Sequence, residues 1–227
     1  MRLKPQINHY KRKKYGFYEK KTIISLLIRR KILILHKKIN LWVKYCMEII
    51  EIYPPYLYAV QYDGESRNEF HRLFHEWNDK EFLLSFFREH IDFLDKDIWM
   101  DLENNPEKAA FSVAFDANRL EHFLEELAHN AGKGIDPDFD NYFQPLDGKY
   151  LYSMERIPVK GYGKNDHTFI RLYAIKIEQN CYLIVYGGLK LAKTIQESPV
   201  LKDHVFAKID WVRQYLKREG IVDNEDL

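Results

Sequence analysis

Cysteine is scarce in this chain. Cys46 and Cys181 stand far apart, outside any CxxC or Cys/His spacing, so neither a disulfide framework nor a zinc site is suggested. The expected setting is a reducing cytoplasm. Long apolar runs are also missing from the front of the chain. The best one in the first 46 residues, TIISLLI, is cut by Arg29, Arg30 and Lys31. It is too short to span a membrane, and no small-residue cleavage site follows it. Metal motifs are lacking too. His71 and His75 sit four apart in HRLFHEW without the HExxH glutamate, and no third ligand is indicated. The acids of DFLDKDIWMDLE and IDPDFD lack EF-hand spacing and read as solvated faces. No cofactor or metal is expected.

What is present is a core. The 227 residues are 46% hydrophobic and 15% aromatic, the composition of a globular domain rather than a disordered chain. The net charge of +1 conceals an asymmetry: residues 1–46 hold 14 Lys or Arg against Glu19, and residues 47–227 hold 21 basic and 33 acidic residues. The break falls at Met47, just before the first strand signal. We therefore expect 1–46 to be a basic appendage translated from too early a start, and 47–227 to be one domain. The alternative for 1–46 is a basic amphipathic helix lying on a membrane or on RNA.

Beyond Met47 the periodicities are legible. YLYAVQY (56–62) reads as a first strand closed by the Asp63-Gly64 turn. Phe70, Leu73, Phe74 and Trp77, then Phe82, Leu83, Phe86, Phe87 and Ile91, recur at helical spacing with a break near Asn78-Asp79. Asp116 is the expected N-cap of a further helix with Leu120, Phe123, Leu124 and Leu127 on one stripe, ending at Gly132 and Gly134. Three strands follow at 149–159, 168–178 and 181–191, the last two joined as a hairpin by Gln179-Asn180. A closing helix carries Val205, Ile209, Val212 and Leu216 and stops at Gly220. The predicted fold is α+β: an antiparallel sheet, helices grouped between the first strand and a three-stranded meander, and a C-terminal helix.

The third strand of that meander, YLIVYGGLKLAKTIQESP (182–199), passes from an apolar run through Gly187-Gly188 into Lys190 and Lys193. Together with LDGKYLYSMERI and FIRLYAI before it, and a helix after it, it resembles the RelE/HigB/ParE toxin superfamily of bacterial toxin–antitoxin systems, especially its phage-derived HigB-like branch. The likeness rests on Leu151, Tyr152, Glu155 and Arg156, on Arg171, and on Gly188, Lys190, Lys193, Thr194, Gln196 and Pro199. It covers about a third of the chain, 149–219. Leu191-Ala192-Lys193 stands where that branch has adjacent lysines, and the helical region is far longer than in a small toxin.

The resemblance implies a metal-independent mRNA endoribonuclease that drives a 2′-hydroxyl onto the neighbouring phosphate. Its expected partners are mRNA or the ribosome and a separate antitoxin of helix-turn-helix type. Arg156 and Arg171 would clamp phosphate oxygens, while Lys190 or Lys193 would move a proton. Tyr173, Tyr186, His167 and Lys176 would contact RNA. For each there is a plainer alternative: the cations as solvated sheet charges, the tyrosines as core or rim rings, the Gly pair as a bulge. Residues 47–148 hold 8 basic and 23 acidic residues, against 13 and 7 in 149–219. This acidic front half keeps a second expectation open, a non-catalytic interaction protein of the same fold, either a ParE-like inhibitor or an accessory module.

Intact-mass analysis of the protein from its native host is expected to give a chain beginning at Met47. A mature mass that includes 1–46 would contradict this.

Overall fold

Apolar side chains at every position of a strand require cover on both faces of the sheet, and this is what the inner strands find. In the computed structural model, which describes residues 47–94, 97–133, 139–146, 157–163 and 168–227, the strands are β1 (Met47–Tyr53), β2 (Leu57–Tyr62), β3 (Gln144–Pro145), β4 (Pro158–Tyr162), β5 (Ile170–Glu178) and β6 (Cys181–Leu189). They form one open sheet in the order β1-β2-β6-β5-β4-β3. Neighbours are antiparallel except β2 and β6, which run parallel. Parallel neighbours need a long crossover, and here it contains the helices of one face and the strands β3, β4 and β5. The fold is α+β with a mostly antiparallel sheet.

The helices divide between the two faces. On one lie α1 (Glu69–Asn78), α2 (Lys80–Glu89) and α4 (Pro106–Gly132), with the short α3 (Ile91–Leu94) and α5 (Phe139–Tyr142) and a 3-10 segment at Asp97–Leu102. Their core includes Phe70, Leu73, Trp77, Phe87, Leu120 and Phe169, packed with Ile170, Leu172 and Ala174 of β5. On the other face α6 (Val205–Glu219) sets Val205, Ile209, Val212 and Leu216 against Tyr173, Ile175 and Ile177 of the same strand. Residues Met47–Leu227 form one compact unit. Among the described residues no helix is long and apolar enough to cross a membrane.

Local chemistry sets the helix starts. The side chains of Asn68, Asp79 and Asn105 accept hydrogen bonds from the backbone N–H groups of His71, of Glu81 and Phe82, and of Lys108, satisfying first-turn donors that have no intrahelical acceptor. The expected cap at Asp116 is not one. The helix begins eleven residues earlier, at an Asn105 cap with Pro106 in its first turn, the position where a missing N–H costs nothing. Asp116 lies inside α4, 1% exposed. The break at Asp79, the hairpin turn at Gln179-Asn180 and the stop at Gly220 stand where the spacing put them.

Two strand boundaries differ from expectation. MEIIEIY forms an edge strand of its own, antiparallel to β2 beyond Pro54-Pro55; its half-exposed pattern hides it beside the fully buried β2. Of the strand expected at 149–159, residues 149–156 lie outside the described residues, while β4 runs on to Tyr162 because Lys160 and Tyr162 pair with Tyr173 and Arg171.

The double glycine follows a register jump. Tyr173 pairs with Tyr186 but Ala174 pairs with Ile184, so Val185 is the extra residue of a bulge. After it, Gly187 faces the helical layer. A Cβ there would lie 2.5 Å from Leu73 Cδ1 and 2.8 Å from the Arg171 carbonyl oxygen. Backbone and a fully buried leucine cannot both give way. We predict that Gly187→Ala lowers stability by about 1–3 kcal/mol, measured by urea denaturation. Gly188→Ala, whose nearest neighbour is the Leu201 side chain at 3.0 Å, should cost less.

Candidate functional site

Strand pairing brings the cations together. In β4 and β5 the pairs Lys160–Tyr173 and Tyr162–Arg171 place these four side chains on one face, the face that carries α6. From the end of β6, Lys190 and the turn through Lys193, Thr194, Ile195 and Gln196 close a second wall, and Leu146 and Phe206 complete it. The result is an open cleft of about 250 Å³ lined by Lys160, Arg171, Lys190 and Lys193. Phe206 lies in the first turn of α6, which has no acidic residue, so the helix dipole adds to the positive side.

Arg171 is the most constrained of the four. Its Nη1 donates to the carbonyls of Thr168 (2.8 Å) and Ile170 (2.6 Å), and its guanidinium carbon lies 4.4 Å from the centre of the Tyr162 ring. Burial pushes its pKa down, while Tyr162, Tyr173 and Tyr142 act to raise it. An arginine stays charged regardless. Lys190 is held with its Nζ donating to the Lys193 carbonyl. Burial first, then the charges of Arg171 and Lys160, bring its pKa below the ordinary lysine value, against the opposing pull of Glu197. Lys160 Nζ stands 5.7 Å from the centre of the Tyr162 ring. Among the described residues no carboxylate lies within ion-pairing distance of any of the four.

The other expected site residues fall elsewhere. Arg156 and His167 lie outside the described residues. Tyr173 lines the cleft but is 1% exposed; it is floor, not a platform for stacking a base. Tyr186 pairs with Tyr173 on the same face, yet it points toward Arg72 (5.6 Å from its ring centre) and His204 (ring centres 5.9 Å apart). Burial, with Glu69 and Glu76 nearby, pushes its hydroxyl up to about 12 despite Arg72. Lys176 is on the opposite face. It pairs with Asp140 at 2.8 Å, and Asp140 also accepts from the Tyr182 hydroxyl and the Asn180 N–H. These bonds outweigh the burial that would raise the Asp140 carboxyl and hold it below its usual value. Lys176 thus ties α5 to the β5–β6 turn and is not part of the cleft.

Lys160 and Tyr162 are the residues that sequence reasoning missed. The signal was available: had the strand been continued past Val159, alternation would have aimed both at the face of Arg171 and Tyr173. Among the described residues no group of three or more His, Cys, Asp or Glu is arranged to hold a metal ion. His71 turns its Nδ1 to the Asn68 amide at 2.9 Å.

Comparison with known proteins finds no matching family model, curated protein or solved structure. The site is therefore read from its own chemistry.

Proposed function

We propose that this protein is a toxin-like component of a toxin–antitoxin system, an endoribonuclease that cleaves mRNA by attack of a 2′-hydroxyl on the adjacent phosphate. The observation that carries the reading is the convergence of Lys160, Arg171, Lys190 and Lys193 on one cleft, none of them in an ion pair with a carboxylate among the described residues. An RNA phosphate is the anion such a cleft suits. The arrangement of helices between β2 and the meander, with α6 after it, agrees with the expanded RelE-like plan.

In the proposed reaction the 2′-oxygen forms a bond to phosphorus and its proton passes to a neutral lysine. The bond from phosphorus to the 5′-oxygen breaks, and that oxygen takes a proton from a second ammonium. The products are a 2′,3′-cyclic phosphate and a 5′-hydroxyl. Arg171 meets the charge that grows on the phosphorane oxygens, where fixed donors act most strongly. Lys190, whose pKa is lowered by burial and by Arg171 and Lys160, is the base, and Lys193 or Lys160 is the acid. Lys193 is exposed and reaches the substrate from the rim. The neutralising partner would be a separate antitoxin.

A second reading has its own observation. Phe111 and Phe115, 73% and 49% exposed, stack on the outer face of α4. Exposed rings of this kind suit a protein contact, as a non-catalytic member of the fold would use.

Induced expression is expected to arrest growth with mRNA cleavage, and Arg171→Ala to abolish both while leaving the fold intact. Lys190→Ala should slow cleavage by about 10²- to 10⁴-fold. The rising limb of the pH–rate profile should lie below the ordinary lysine range. It should move to higher pH in Lys160→Ala, because one of the charges that depresses Lys190 is then gone. Arrest without RNA cleavage, indifferent to these changes, would favour the protein-binding reading.

A further inference from the structure

The cleft is held in shape from behind the sheet. The 3-10 segment at Asp97–Leu102 leaves helical geometry at Trp99 (φ −126°, ψ 20°), and the indole, 6% exposed, is buried in the helical layer. Its Nε1 donates to the Leu191 carbonyl at 2.9 Å. Its ring stacks on Phe169, with centres 3.8 Å apart and planes at 22°. These two contacts bracket the cation site. Phe169 supplies the carbonyl that accepts the Lys190 N–H at 2.7 Å, and it lies between Thr168 and Ile170, whose carbonyls hold the Arg171 guanidinium. Leu191 follows Lys190 directly, and its own N–H goes to the buried Ser198 Oγ at 3.0 Å.

We propose that Trp99 is a positioning residue for the anion cleft: by gripping Phe169 and the Leu191 carbonyl, it fixes the two backbone stretches from which Arg171 and Lys190 project. Trp99 touches neither side chain and lies on the opposite face of the sheet. A buried indole N–H requires an acceptor, and here the acceptor is the carbonyl of Leu191, the residue that follows Lys190. The same group that satisfies Trp99 therefore limits the freedom of the wall carrying Lys190 and Lys193. Preorganised donors bind a phosphate more tightly than mobile ones because no ordering remains to be done on binding. The helical layer thus participates in the site through one residue. The inference rests on the cleft binding RNA phosphate.

The test is binding of a short fluorescein-labelled oligoribonucleotide whose 2′-O-methyl groups block cleavage, followed by anisotropy at several salt concentrations. The proteins compared are wild type, Trp99→Phe, Lys190→Ala, the double variant and Ser198→Ala, with thermal unfolding of each as a check on the fold. Trp99→Phe keeps an aromatic ring on Phe169 and removes only the donor. It is expected to weaken binding by about 2- to 12-fold, the worth of one ordinary hydrogen bond. It should also flatten the salt dependence toward the loss of one phosphate contact, about 0.7 in the slope for a single strand. Added to Lys190→Ala it should change little more, because both act through the same cation. Ser198→Ala, which frees the other side of Leu191, should repeat the effect. Wild-type affinity and salt slope in folded Trp99→Phe and Ser198→Ala, while Lys190→Ala binds weakly, would overturn the positioning role. So would effects of Trp99→Phe and Lys190→Ala that multiply. Unchanged binding in Lys190→Ala would overturn the phosphate reading of the cleft itself.

Discussion

A guanidinium drawn out of water, with no carboxylate in ion-pairing distance among the described residues, is the constraint on which the cleft depends. Removing an ion from water costs several kcal/mol after relaxation. Arg171 recovers part of that through two carbonyl hydrogen bonds and the face of Tyr162, interactions of about 1.5–3 and up to about 2 kcal/mol. Its charge remains, and it faces Lys160, Lys190 and Lys193 across an open cleft. Like charges so placed repel. Strand pairing fixes two of them, Arg171 opposite Gly188 and Tyr162 and Lys160 opposite Tyr173, and the Phe169 carbonyl holds the Lys190 N–H. An anion in the cleft relieves the repulsion of all four at once.

The rest of the sheet supplies the rigidity this needs. β5 is buried on both faces, with alternate residues committed to the helical layer and to α6, so a one-residue slip would turn Arg171 into the apolar core. The bulge at Val185 and the close approach at Gly187 bring β6 against the Arg171 carbonyl. Two half-buried cations elsewhere are neutralised. Arg72 is bound by Glu69 and Glu76, and Lys176 by Asp140. The contrast separates side chains that complete the fold from those left with charge to offer.

Much of this was legible in the residues. Period-2 and period-3.6 patterns located β2, β5, β6, α1, α2 and α6, and the run from Gly187 to Gln196 marked the wall of the cleft. What was not legible had physical causes. Pairing partners are set by tertiary packing, so nothing in MEIIEIY announced an edge strand, and nothing local set β2 parallel to β6. Asp116 has the chemistry of a cap but not its place, because Asn105-Pro106 starts the helix first. Lys176 alternates like a surface residue, yet its face is the helical one and Asp140 claims it. Tyr173 has the ring for stacking, but the core closes over it. Lys160 was overlooked because the strand was ended one residue too soon.

The central claim is that four cations from three stretches of chain form one anion site. The most direct measurement is a titration with a 2′-O-methyl dinucleotide, following the NMR signals of arginine Nε and lysine Nζ groups. Arg171, Lys160, Lys190 and Lys193 are expected to respond together along one saturation curve, while Arg72 and Lys176, already paired with carboxylates, stay still. Separate curves for the four, or equal responses from Arg72 and Lys176, would contradict the claim.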